Sequence, residues 1–309
     1  MIRFSTPVDI CPSLHKISYD DQLLLLGSCF ADNIGAKFNE YYFQTTVNPY
    51  GTLYNPASIA NAIADSISPS DRALLFHNDM WHSMCHHGNF SHSDREEVLR
   101  NCQQSQLALC NALRNASTII ITFGTAWVYE LDGQIVANCH KLPANRFVRR
   151  CMTVDEIVNI WSPIITHYPD KHWIFTVSPI RHIKDGLHAN QISKSILLQA
   201  IDALLSFAPS THSLTYFPSY EIMLDELRDY RFYAEDMVHP SPLAVEYIWQ
   251  RFVDTFMTET TRTEMRTLHQ LWLDRQHRFL HPESLEAKAF AQRLSQRIQN
   301  VQTQYPWIH

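Results

Sequence analysis

The chain has 309 residues, 45% of them hydrophobic, enough to bury one large core in a single embellished domain. A formal net charge of −6 argues against nucleic acid as a partner. No run approaches the roughly 18 uninterrupted apolar residues of a membrane span. Met1 to Pro7 lack the charged-then-apolar order of a secretion signal, so a cytoplasmic protein is expected.

Seven cysteines, at positions 11, 29, 85, 102, 110, 139 and 151, form an odd set without a C-x-x-C pair, which fits reduced thiols. Neither G-x-G-x-x-G nor G-x-x-x-x-G-K-[ST] is present, so no nucleotide cofactor is expected on those scaffolds, and no other cofactor is called for.

In chain order, Leu23 to Leu26 read as a short, fully buried strand that ends at Gly27-Ser28-Cys29-Phe30. Ala31 to Phe38 has helical spacing. Ser28 therefore stands between a strand's carboxyl end and a helix N-terminus, where parallel α/β sheets place ligands and amide N–H groups can hold an anion. The same position suits a simple helix N-cap. Phe43 to Val47 is a second strand and 56–67 a helix. Residues 68–94 lack periodicity and read as a long ordered loop. After a helix at 95–115 comes the strongest strand, Ser117 to Phe123, β-branched at five of seven positions. Residues 127–150 read as an inserted hairpin turning at Asp132-Gly133. A helix at 153–167, a strand from Trp173 to Val177, a helix at 187–207, a weaker strand from Ser213 to Phe217 and a helix at 241–258 complete the alternation. This pattern predicts an α/β fold with a central, mainly parallel sheet over residues 1–259. From 260 to 309 the chain is polar and helical, with Leu268, Leu271, Leu273 and Phe279 as anchors. It reads as a C-terminal extension that packs on the domain or offers a surface for oligomer formation.

Asp236 precedes His239 by three residues within Ala234-Glu235-Asp236-Met237-Val238-His239-Pro240-Ser241. On a tight loop the carboxylate can return to the imidazole, fix its tautomer and leave the other ring nitrogen to take a serine proton. Pro240 keeps His239 out of helical angles, and Ser241 followed by Pro242 starts a helix.

With Gly27-Ser28-Cys29-Phe30-Ala31 the chain resembles the GSCFA-domain family, which is similar to the SGNH (GDSL-like) hydrolases. The resemblance covers roughly residues 20–258 and includes Asn48-Pro49-Tyr50-Gly51 and Asn138-Cys139-His140-Lys141. It implies a three-layer α/β/α, flavodoxin-like fold, with Ser28 as nucleophile, His239 as general base and Asp236 as its orienting acid. It also implies an oxyanion hole from the Ser28 and Gly51 N–H groups, with Asn48 or a side chain from another loop as the third donor. Two blocks depart from the SGNH pattern. Gly27 stands where Asp precedes the serine in those enzymes, and Ala126 in Gly124-Thr125-Ala126-Trp127 replaces the oxyanion asparagine.

His82 lies among His77, Cys85, His86, His87 and His92, residue types that bind zinc. Without ligand spacing the segment reads as a polar pocket rim with no metal, and His82 as a substrate contact. Arg181 and His182 follow the fourth strand and can meet a carboxylate or sugar hydroxyl, or form a loop salt bridge. His140 lies on a polar run that can return over the site and furnish a donor, or stand as a solvated loop. Cys29 points about 100° away from Ser28 on a helix and reads as a packing residue. The expected activity is a serine esterase working through an acyl-enzyme, removing small acyl groups from carbohydrate-like substrates. The alternatives are an acyltransferase on the same fold and a non-catalytic ligand-binding protein with a degenerate oxyanion hole.

Overall fold

The leucine run forms β1 (Gln22–Gly27), and its alternation divides the core in two. Leu24 and Leu26 pack on one side of the sheet, Leu23 and Leu25 on the other. Successive side chains of a strand leave on opposite faces, so a strand covered on both sides is apolar throughout. The computed structural model describes residues 5–67, 74–207 and 213–308.

After β1 come α1 (Cys29–Glu40), β2 (Gln44–Val47) and α2 (Pro56–Ile67), followed by a hairpin of β3 (Leu75–His77) and β4 (Met80–His82). Then follow α3 (Arg95–Asn115), β5 (Thr118–Phe123), β6 (Trp127–Leu131), β7 (Gln134–Val136), β8 (Val148–Cys151) and α4 (Val154–His167). The chain continues through β9 (His172–Val177), α5 (Leu187–Phe207), β10 (Ser213–Tyr216) and α6 (Ser219–Glu221), which runs into a π-helical turn at Ile222–Leu227. Last come α7 (Pro242–Phe256), α8 (Glu259–Gln276) and α9 (Leu285–Gln304).

Five strands make a central sheet in the order β10-β9-β5-β1-β2, and every pairing is parallel. Helices α2 to α5 cover the face of Leu24 and Leu26, while α1, α7 and α8 cover the face of Leu23 and Leu25. The result is a three-layer α/β/α arrangement. From β1 the chain moves outward to β2 and then crosses back to β5, so the topological switch lies between β1 and β5. In such sheets the crevice opens at the carboxyl ends of the switch strands. Here those ends are Ser28 and Gly124.

The expected loop at 68–94 is corrected in part. Residues 68–73 lie outside the described residues, and 75–82 form the β3–β4 hairpin. Its turn residues Asn78 and Asp79 have φ of 49° and 59°, the conformation that matches strand twist in a two-residue turn. The turn at Asp132 and Gly133 has the same character, with φ of 51° and 76°. The inserted hairpin is in fact three-stranded, because β8 returns to pair with β6.

The C-terminal helices are part of the domain's packing. Met265 and Leu268 join the core on the α1 and α7 side, as does Ile308, which is 1% exposed. The Trp307 indole N–H donates to the Tyr42 carbonyl at 2.9 Å. Leu273, expected as an anchor, instead faces solvent.

Candidate functional site

Gly27 brings β1 out of the sheet hard against β5. Its φ is +142°, and a Cβ there would fall 2.1 Å from the Thr122 carbonyl oxygen, so no other residue fits. Ser28 continues the β1–β5 ladder, its N–H donating to the Thr122 carbonyl at 3.1 Å. The Ser28 hydroxyl caps α1 by accepting from the Phe30 N–H at 3.3 Å, and the residue is 1% exposed. Gly124 ends β5 beside it: a Cβ on Gly124 would lie 3.3 Å from that of Ser28.

Asp236 and His239 meet on the loop before α7. Asp236 Oδ1 accepts from the Val238 and His239 N–H groups at 2.9 and 3.0 Å, and Oδ2 takes His239 Nδ1 at 2.6 Å. The His239 N–H, then its ring and the Val238 N–H, hold the Asp236 carboxyl down at about 2. The loop is closed by hydrogen bonds from Ala234 N–H to the His239 carbonyl and from Ser241 N–H to the Phe232 carbonyl, both 2.7 Å. It is fastened to the end of β9 by Arg181, whose backbone N–H reaches the Val238 carbonyl at 3.2 Å and whose Nη1 reaches that of Met237 at 3.3 Å. Asp236, His239 and Ser28 therefore share the carboxyl end of the sheet. The His239 side chain is 44% exposed, and Nε2 has no partner among the described residues. His239 and Ser28 are not hydrogen-bonded to each other.

Lys194 of α5 also reaches this end of the sheet. It is fully buried, and its Nζ donates to the Gly124 and Ser178 carbonyls at 2.7 Å each, tying together the ends of β5 and β9. Burial lowers its pKa to about 7, with Cys29 opposing the shift. The signal was available: Lys194 lies on the helical stripe of Leu197, Ile201 and Leu204, where a cation has no solvent to face. Its neighbour Ser193 accepts the Ala126 N–H at 2.8 Å. His182 is also drawn into the crevice. Burial and then the Lys194 charge push it down to about 4, the Gly124 carbonyl opposing and His239 lowering it further. Burial raises the Cys29 thiol, which keeps it protonated at neutral pH and makes it a poor rival to Ser28.

The expected oxyanion donors are turned inward. The Ser28 N–H is spent on Thr122, and the Gly51 N–H closes a turn onto the Asn48 carbonyl at 2.7 Å. Asn48 takes the Gly27 N–H on Oδ1 at 2.8 Å and gives Nδ2 to Asp32 at 2.7 Å, bracing the switch loop. His82 and His140, expected at the substrate, sit instead in a buried cluster with rings 4.6 Å apart. His82 bonds Ser91 and the His77 carbonyl, and His140 bonds the Ser83 carbonyl and Ser91. Both nitrogens of each ring are thereby used within this cluster.

Among the described residues no three His, Cys, Asp or Glu side chains gather as a metal-ligand set, and no helix is long and apolar enough to cross a membrane. Residues 22–252 match the sequence model of the GSCFA family. No curated protein matches the chain.

Proposed function

The chain belongs to the GSCFA family, and we propose that it is a serine ester hydrolase of the SGNH type, acting in the cytoplasm without a cofactor. The Asp236–His239 pair carries this reading: an ionised carboxylate holds Nδ1–H, so Nε2 is the basic nitrogen, on a side chain that is 44% exposed. Ser28 attacks an acyl carbonyl and gives its proton to His239 Nε2. The alcohol leaves with that proton, and water, activated by the same nitrogen, releases the acyl group. His239 closes on Ser28 when substrate fills the crevice, since catalytic hydrogen bonds commonly tighten only in the complex.

For the oxyanion we assign the Cys29 N–H. As the first residue of α1 it has no intrahelical acceptor, and it lies at the positive end of the helix dipole. The substrates we infer are small acyl groups on carbohydrate alcohols. A second reading, a ligand-binding protein on the same scaffold, is favoured by the inward engagement of Ser28, Asn48 and Gly51. Labelling with a fluorophosphonate separates the two. The hydrolase reading expects covalent capture that disappears in Ser28→Ala and collapses in His239→Ala. A folded protein that neither takes the label nor cleaves p-nitrophenyl acetate is a binder.

A further inference from the structure

A cleft of about 260 Å³ lies beside the Asp236–His239 loop, between α5, the π-helical turn and Tyr230–Tyr233. Its hydrogen-bonding character follows from which atoms are already used. Asn190, 3% exposed, accepts the His182 N–H on Oδ1 at 2.9 Å, which leaves both Nδ2 protons without an acceptor among the described residues. Gln191 accepts the Tyr220 hydroxyl on Oε1 at 2.6 Å, so it too presents N–H groups. The Arg181 guanidinium lies 5.1 Å from the Tyr233 ring centre and 5.8 Å from that of Tyr230. These rings hold it in place without supplying a counter-charge. It has no carboxylate partner among the described residues.

Arg228 adds a second cation, its nearest acid being Asp225 at 3.9 Å with both side chains exposed. The acid on the cleft wall, Asp229, is occupied in capping the Arg231 N–H at 2.9 Å. The first turn of α5 also faces the cleft through Leu187 and Asn190, so the positive end of that helix adds to the same field. Two guanidiniums, two amide donors and a helix N-terminus around one cleft, against the single carboxylate of Asp229, call for an occupant rich in acceptors and negatively charged.

We propose that this cleft is the subsite for the anionic group of a sugar substrate, a carboxylate or a phosphate, with Arg181 gripping the charge and Asn190 the neighbouring oxygens. Its small volume suits a single sugar residue rather than a polymer segment. Arg181 also holds the Met237 carbonyl, so a ligand gripped there is in register with the His239 loop. The assignment of this ligand as substrate rests on the ester-hydrolase reading; its binding does not.

The test is a calorimetric titration of the full chain at low ionic strength with D-glucuronate, glucose 6-phosphate and glucose. Each anion is expected to bind at least about tenfold tighter than glucose, the preference shrinking as salt is raised. The tighter of the two identifies the source of the charge. Arg181→Gln should abolish the preference and Asn190→Ala should weaken it severalfold. Arg228→Gln, at a side chain 79% exposed and so harmless to folding, should reduce it. Ser28→Ala should bind as the parent does. Equal affinity for anions and glucose overturns the proposal, as does a preference that survives in both arginine variants. Failure of fluorophosphonate labelling alongside anion binding would remove the hydrolase and leave the subsite standing.

Discussion

Asp236 and His239 are joined side chain to side chain at 2.6 Å, and the remaining carboxylate oxygen is held by two backbone N–H groups of the same loop. The acid is thus oriented by the backbone before the imidazole meets it. Asp236→Asn keeps the loop's shape but reverses the tautomer of His239, and it should lower kcat by about 10⁴ with KM little changed. Steady-state hydrolysis of p-nitrophenyl acetate measures this, and a loss below tenfold would remove Asp236 from the mechanism.

The same geometry makes a prediction about acid. The Asp236 carboxyl is depressed from 3.8 to about 2, so its contribution to the folded state is whole above about pH 4 and lost as the pH falls toward 2. In His239→Ala the two backbone donors remain. Carboxyl titration by NMR should therefore move only part of the way back toward 3.8. A full return would mean that the ring alone holds the charge.

Two buried histidines and the partly buried His182 set the acid limit of the fold. Burial lowers His140 and His182 to about 4 and His172 to about 3, below their ordinary value of 6.5. The unfolded chain takes these protons first, so stability falls as the pH drops from 6.5 through that range, each group adding at most about 1.4 kcal/mol per pH unit. Urea midpoints should decline from pH 7 to pH 5, and less steeply in a His140→Gln, His172→Gln double variant. Parallel declines would refute the assignment.

Lys194 acts in the opposite range. Its folded pKa of about 7 lies below its ordinary 10.5, so the folded state resists the proton that the unfolded chain holds. Stability therefore rises with pH between about 7 and 10.5, and this rise should be missing in Lys194→Met. That variant also strips the donor from two carbonyls, at about 1–3 kcal/mol for each one left unsatisfied. Denaturant unfolding at pH 7 and pH 9.5 reads both effects, and an unchanged slope in the variant would show that Lys194 is not the group responsible.

Gly124→Ala probes the crevice without replacing a residue of the proposed triad. The added methyl would lie 2.9 Å from the Tyr54 carbonyl and 3.3 Å from Ser28 Cβ. Stability should drop by about 1–3 kcal/mol, as for other overpacked sites, while fluorophosphonate labelling slows tenfold or more. Unchanged labelling would show that the Ser28 rotamer does not depend on this contact.

Ile308→Ala tests whether the C-terminal helices belong to the core. At a fully buried site the deletion should cost about 2–5 kcal/mol in chemical denaturation. A neutral result would return the tail to the status of a separate arm.

Much of this fold is legible in one dimension. The strand at Thr118–Phe123 and the long helices at 95–115 and 187–207 follow from β-branched runs and apolar stripes, signals that neighbours in space reinforce rather than create. The β3–β4 hairpin was not legible, because three-residue strands rich in His and Trp carry too little periodicity. Nor was β8, which exists only because β6 offers it an edge.

At the site, the sequence determined the local pieces: a serine where β1 gives way to α1, and an acid three residues before a histidine on a proline-stopped loop. Turn geometry and capping act over a few residues, so the Asp236–His239 bond could be foreseen. Only the tertiary structure decided what surrounds them. It turned the Ser28, Gly51 and Asn48 donors inward, withdrew His82 and His140 into a packed cluster, and set Lys194 beneath Gly124 and Ser178. Each of those outcomes depends on which distant carbonyl or hydroxyl is nearest once the layers close, and spacing along the chain does not carry that information.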